Sequence, residues 1–333
     1  MTPLVSVIIC NYNYGHFLHE AIRSALNQSY SRVEIVVVDD GSTDDSGEVL
    51  DRQAPEVICL RRQHQGQTAA LWAGVKASRG DIICFLDSDD VWFPGKIEAV
   101  VGAFNGDQDA AWIRHKLVVA DLSLRPLGPC VPHFHGSTSI YPNPELYLER
   151  TVTVSTSALS VRRPVAQHAF ARLENLLRQP GDAGPFGGML YHTDVCLLTV
   201  IGAGRAKGFS LDRPLGYYRR HSGRQFHSRQ AVLPMLEQQI EVGRVVSRIW
   251  SAEVGRRTTA SHVYKHLLVV EALQGHSKWS AGRLKVFLVG LRVSTTLVLE
   301  DIRLALRQTL AIIYAYLAPQ SWVNRLFTRQ GYL

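Results

Sequence analysis

Asp81-Ile82-Ile83-Cys84-Phe85-Leu86-Asp87-Ser88-Asp89-Asp90 decides the fold. Its first half is an apolar run of strand type, charged only at its entry. Its second half packs three carboxylates into four residues. In an open α/β sheet, ligands sit beyond the carboxyl ends of the strands, so a buried strand that discharges into carboxylates places chemistry there. Asp87 and Asp89 can reach one hard divalent cation. Mg²⁺ and Mn²⁺ take oxygen ligands, and Mg²⁺ commonly completes its shell with water and substrate phosphates. Crowded carboxylates repel one another, and a cation or a basic partner relieves that. The plain alternative is an acidic turn whose Asp side chains cap a helix started by Pro94. A partner motif upstream favours metal and diphosphate.

Upstream, residues 4–10 form a β-branched run, read as a first buried strand. A loop of turn formers with two aromatics, Asn11-Tyr12-Asn13-Tyr14-Gly15, follows it. Phe17, Leu18, Ala21, Ile22, Ala25 and Leu26 have helical spacing. Residues 33–38 read as a second buried strand that ends in the carboxylate turn Asp39-Asp40-Gly41-Ser42-Thr43-Asp44. Residues 57–60 read as a short third strand and 66–77 as a helix rich in small residues. This alternation implies a mostly parallel sheet with right-handed crossovers. Two strands then end in carboxylates at one edge, beside an aromatic loop. Tyr12 can pack against a planar base, Asp40 can accept from a base N–H or a ribose hydroxyl, and Asp87 and Asp89 can hold a cation on a diphosphate. No G-x-G-x-x-G follows the first strand and no P-loop is present, which argues against NAD and ordinary ATP hydrolysis.

Ser6-Val7-Ile8-Ile9-Cys10-Asn11-Tyr12-Asn13, Val37-Val38-Asp39-Asp40-Gly41-Ser42-Thr43-Asp44 and Phe85-Leu86-Asp87-Ser88-Asp89-Asp90 resemble glycosyltransferase family 2 in order and spacing. Gln65-Gly66-Gln67-Thr68-Ala69-Ala70 also looks like that family. The resemblance is strong over 1–120, weaker to about 225 and slight beyond. It implies an α/β chain of the GT-A fold, an inverting enzyme that uses nucleotide-diphospho-sugars, UDP-sugars above all, with a divalent metal, Mg²⁺ or Mn²⁺. By resemblance, Tyr12 lies beside the base, Asp40 contacts base or ribose, and Gln67 and Ser88 belong to the donor site. Asp87 and Asp89 are the D-x-D positions, Asp89 being the expected direct metal ligand.

Composition bounds the rest. The chain has 333 residues, 46% hydrophobic and 20% charged, as expected of a globular protein. Its charge is uneven: residues 203–333 carry 20 Lys and Arg against 7 Asp and Glu, a net +13, and residues 1–202 a net −6. A basic part of this kind suits an anionic partner, either nucleic acid or an anionic membrane face. No nucleic-acid-binding motif is present, so nucleic acid is not expected. The five cysteines, Cys10, Cys59, Cys84, Cys130 and Cys196, include no C-x-x-C pair and suit a reducing compartment. The N-terminus leads straight into a strand without a basic-then-apolar leader, and no run of about 18 apolar residues is clean enough to span a bilayer. The expected location is the cytoplasm or the cytoplasmic membrane face.

The second half reads less clearly. Residues 111–119 alternate like a half-buried strand, in which His115 is structural. Residues 121–150 read as loop on the acceptor side, and 151–161 as a strand rich in hydroxyls. By resemblance to related enzymes, Thr156 and Ser157 are acceptor-side candidates. An inverting transfer needs a base for the acceptor hydroxyl. The family commonly places an Asp, often preceded by Glu, at a helix start. Here that segment is His192-Thr193-Asp194, so Asp194 is the expected base and Thr193 stands where the Glu is often found. Thr193-Asp194 also suits a helix N-cap and first-turn acid. The segment ending Tyr218-Arg219-Arg220-His221 resembles the family's closing strand, which implies His221 as a third metal ligand and Arg219 or Arg220 as phosphate contacts.

From about Leu233 the chain has helical periodicity with basic residues beside leucines and aromatics. This suits either a helix lying in a membrane interface or a helical appendage packed on protein. The expected organisation is a GT-A domain over 1–228, divided into a nucleotide-sugar half (1–120) and an acceptor half (121–228), with a helical extension over 229–333. The expected acceptor is a hydroxyl of a saccharide or lipid-linked molecule in cell-surface glycan synthesis. Two rivals are a sugar nucleotidyltransferase and a non-catalytic subunit of a polysaccharide assembly complex.

Overall fold

A computed structural model describes residues 2–53, 56–132, 136–140, 155–177, 193, 197, 198, 200, 201 and 206–221. The chain divides into two units, Met1–His221 and Ser222–Leu333, where the sequence reading set the boundary at 228. The expected helical extension, its membrane contact and residues 141–154 lie outside the described residues, as does Asp194.

The elements are β1 (Val5–Asn11), α1 (Gly15–Leu26), β2 (Val33–Asp39), α2 (Ser46–Gln53), β3 (Ile58–Arg61), α3 (Gln67–Ala77), β4 (Ile82–Asp87), β5 (Val91–Trp92), α4 (Lys96–Gly106), β6 (Trp112–Ala120), β7 (Thr138–Ile140), β8 (Leu159–Arg162), α5 (Arg163–Leu177) and β9 (Gly208–Arg219). The strands form one sheet in the order β3-β2-β1-β4-β8-β6-β9-β5, with β7 on β9. The first four of that order, β3-β2-β1-β4, are parallel. β8 is antiparallel to both β4 and β6, while β6 and β9 run parallel. The expected mostly parallel sheet is thus a mixed one, its parallel half carrying the turns that follow β1, β2 and β4.

β1, β2 and β4 are apolar and largely buried on both faces, as strands covered by helices on each side must be, while the edge strand β3 is partly exposed. α1 lays Phe17, Leu18, Ala21, Ile22 and Ala25 into the core. α3 approaches the sheet closely at Gly74: a Cβ there would stand 2.4 Å from Ile8 Cγ2 and 3.2 Å from Val38 Cγ2. The small residues of α3 are therefore a packing requirement.

Two expectations in the second half are corrected. β6 is not half-buried: all but Lys116 and Val118 are buried. Its polar residues find partners inside, Arg114 Nε donating to Ser210 Oγ at 2.7 Å. Burial, with the charge of Lys96 adding to it, pushes His115 down to about 3, so it is neutral at pH 7 and hydrogen-bonded to backbone. Thr156 and Ser157 do not lie in a strand. Thr156–Ala158 is one 3-10 turn that leads into β8.

Candidate active site

Two turns and a returning strand build the site. After β1, Asn11 Nδ2 donates to Asp39 Oδ1, Ser42 Oγ and Ser46 Oγ at 2.8–3.1 Å. Asn13, at φ 58°, accepts from Thr43 N–H at 2.7 Å. These bonds tie the Tyr12 loop to the Asp39–Asp44 turn. Asp44 then accepts from Gly15 N–H at 2.9 Å, which fixes the start of α1.

Asp40 is 1% exposed. Its carboxylate accepts from Gln65 N–H at 3.1 Å and Gly66 N–H at 2.7 Å, at the positive end of α3. Arg62 Nε lies 3.2 Å away, and His64 Nδ1 lies 2.9 Å from Oδ2. Burial pushes the Asp40 carboxyl above its ordinary value, against the pull of Gln65, Gly66, Arg62 and His64. The turn needs glycine at 41, where φ is +82° and a Cβ would stand 2.8 Å from His64 N. Tyr12 stacks on the His64 ring, with centroids 3.9 Å apart and planes at 20°.

The carboxylate turn follows β4. Oxygens of Asp87, Asp89 and Asp90 lie within 4.8 Å of one another. β5 pairs antiparallel with β9, Val91 opposite Tyr217 and Trp92 opposite Gly216. That register brings the end of β9 back beside the turn. His221 Nε2 accordingly lies 3.1 Å from Asp89 Oδ2, and Arg219 N–H donates to Asp90 Oδ1 at 3.0 Å. From the other side, the first residue of α3, Gln67, donates from Nε2 to Asp87 Oδ1 at 3.1 Å. Ser88, between the carboxylates, is buried. Three carboxylates and one imidazole of this spacing suit a hard divalent cation. Asp90, absent from the expected ligand pair, is braced from behind.

That brace is Ser157. Its hydroxyl donates to Asp90 Oδ2 at 2.7 Å and accepts from Asp87 N–H at 3.0 Å. Beneath it, Trp92 Nε1 donates to Ser157 O at 2.9 Å, and the buried Lys96 ammonium sits 3.6 Å from the Trp92 ring centroid. Ser157 is 0% exposed and Thr156 5%; the Ser157 hydroxyl, expected on the acceptor side, is engaged by Asp87 and Asp90 behind the carboxylate turn.

Arg219 is buried. Its guanidinium pairs with Glu20, donates to Leu122 O at 3.1 Å and stacks 4.6 Å from the Phe17 centroid. These contacts fasten β9 to α1. Phe17 and Tyr14 in turn pack against His221 at 4.9 and 5.6 Å between centroids. Arg220 is exposed. Thr193 is helical and buried, with its Oγ1 2.7 Å from Oγ1 of Thr68 in the first turn of α3.

A fold of the GT-A class is what this mixed sheet and its flanking helices define. In solved structures, the S. aureus TarS fragment 1–349 in complex with UDP is similar at a TM-score of 0.52 and 14% identity, over 98% of this chain and 92% of that one. That likeness is one of fold. Residues 6–162 match the model of "Glycosyl transferase family 2". An uncharacterized glycosyltransferase of Nostoc sp. is 46% identical over 121 residues, 35% of this chain and 37% of that protein. An Escherichia coli relative, "UDP-Glc:alpha-D-GlcNAc-diphosphoundecaprenol beta-1,3-glucosyltransferase WfaP", is 38% identical over 96 residues, 28% of this chain and 38% of that one. The matches thus span well under half the length of these curated relatives.

Proposed function

We propose that this chain is an inverting glycosyltransferase that moves a sugar from a UDP-sugar to a hydroxyl of a saccharide or lipid-linked acceptor in glycan synthesis. The observation that carries this is the convergence of Asp87, Asp89 and His221 at the ends of β4 and β9, beside Gln67. The UDP complex of TarS and the lipid-linked acceptor in the WfaP name support the substrate classes. Asp87, Asp89 and His221 would hold a divalent cation, Mg²⁺ or Mn²⁺, which supplies positive charge to the donor diphosphate. Asp90 and Ser157 keep those ligands oriented, and Arg220 offers a guanidinium to the phosphates. Asp194 accepts the acceptor's hydroxyl proton as that oxygen bonds to the anomeric carbon. The bond from that carbon to the diphosphate oxygen breaks on the opposite face, and nucleoside diphosphate leaves. The basic segment after 203 is proposed to bring the enzyme to an anionic membrane face. Among the described residues, no helix is long and apolar enough to cross a membrane.

The test is product identity. Incubation with a UDP-sugar, Mn²⁺ and a panel of saccharide and lipid-linked acceptors is expected to release UDP and form a glycoside of inverted anomeric configuration. Release of pyrophosphate would instead mark a nucleotidyltransferase.

Ser157→Ala offers a finer check. It removes the hydroxyl that holds both the Asp87 N–H and the Asp90 carboxylate. Support of this kind is typically worth about tenfold to a hundredfold in metal affinity. The expected result, read by Mn²⁺ titration, is weakened metal binding by a folded protein. Unchanged Mn²⁺ affinity would contradict the bracing role.

A further inference from the structure

One of the protein's own rings, His64, covers both Tyr12 and Asp40. If a base is to stack on Tyr12 and bond to Asp40, as the donor reading requires, both groups must be within reach. Tyr12 presents a face to His64, 3.9 Å between centroids and 20° from parallel. The Asp40 carboxylate is 1% exposed and ringed by Gln65 N–H, Gly66 N–H, Arg62 and His64. Three of these cannot easily leave. Gln65 and Gly66 donate from backbone at the start of α3, and Arg62 is anchored by a hydrogen bond from its Nη1 to Ala69 O. His64 is the exception. Its side chain is 37% exposed and meets Asp40 through a single ring nitrogen, which lies 2.9 Å from Oδ2 and 3.1 Å from the main-chain oxygen of Asp40.

We infer that His64 occupies the nucleotide-base position in the free protein and is displaced when the donor binds. The imidazole makes the two contacts a pyrimidine would make: a planar ring on Tyr12 and a ring N–H aimed at Asp40. This rests on the proposed donor site. His64 is thereby an affinity-setting residue of that site, because a ligand whose site is open in only a fraction of molecules binds with its affinity reduced by that fraction. The binding-competent state has the His64 ring swung outward to solvent, and the space it leaves is planar and walled by Tyr12 and Asp40.

The test is calorimetric titration of the full-length protein with UDP in the presence of Mn²⁺, comparing wild type, His64→Ala and His64→Phe. Removing the ring in His64→Ala is expected to tighten UDP binding by roughly threefold to tenfold, which corresponds to an inward population of about two-thirds to nine-tenths. His64→Phe keeps a ring that can stack on Tyr12 but cannot bond to Asp40, and is expected to fall between the other two. Weaker binding by His64→Ala would show that the imidazole holds the nucleotide and does not compete with it, and equal binding would show no competition. Either result overturns the inference while leaving the donor site standing. No UDP binding by wild type or either variant would remove the donor reading, and this inference with it.

Discussion

Asp89→Ala is expected to lose metal-dependent donor binding and to lower turnover on the order of a thousandfold or more, since metal stabilisation of developing charge is worth several kcal/mol. The apo protein should not suffer correspondingly. Asp89 is buried among Asp87 and Asp90, and removing one of three crowded carboxylates relieves repulsion even as His221 loses its 3.1 Å contact. The melting temperature without metal is therefore expected to stay level or rise slightly, while the metal-dependent increment disappears. That pairing separates a ligand from a structural acid. A variant that melts normally and still transfers sugar at the wild-type rate would contradict the assignment.

Asp194→Asn is expected to leave donor affinity intact and to reduce turnover by about a hundredfold to ten-thousandfold, the usual worth of a general base. The asparagine amide keeps the side chain's size but cannot take up the acceptor's proton. The preceding residue, Thr193, is buried, with its hydroxyl 2.7 Å from that of Thr68, the neighbour of the Gln67 that contacts Asp87. Equilibrium UDP binding and single-turnover transfer, measured together, check this. Full turnover with intact binding would assign the base to another group.

The donor half of the fold was legible because its signals are local. β1, β2 and β4 are β-branched runs, and the turns after β2 and β4 announce themselves by consecutive aspartates. The return strand was legible only through family resemblance, since β9 meets the Asp90 turn across 129 residues. Ser157 was misread for the same reason. Its Ser/Thr-rich surroundings suggested β-propensity, but its hydroxyl is defined by Asp87 and Asp90, 70 and 67 residues away. The pairing of Arg219 with Glu20 was not legible, because that partner lies 199 residues upstream, on α1. His64 carried no signal as a lone histidine in a polar loop. It takes meaning only from the fold that sets it on Tyr12 and Asp40.

The central claim is a metal-dependent nucleotide-sugar site at the ends of β4 and β9. Its most direct test is a thermal-shift comparison of UDP-, GDP- and dTDP-sugars, with and without Mn²⁺, on wild type and Asp89→Ala. A ligand at a hundred times its Kd stabilises the native state by about 2.7 kcal/mol. The predicted result is a rise of several degrees with UDP-sugars that requires Mn²⁺ and is absent in Asp89→Ala. No rise with any of the nucleotides, or a rise equal in both proteins, would contradict it.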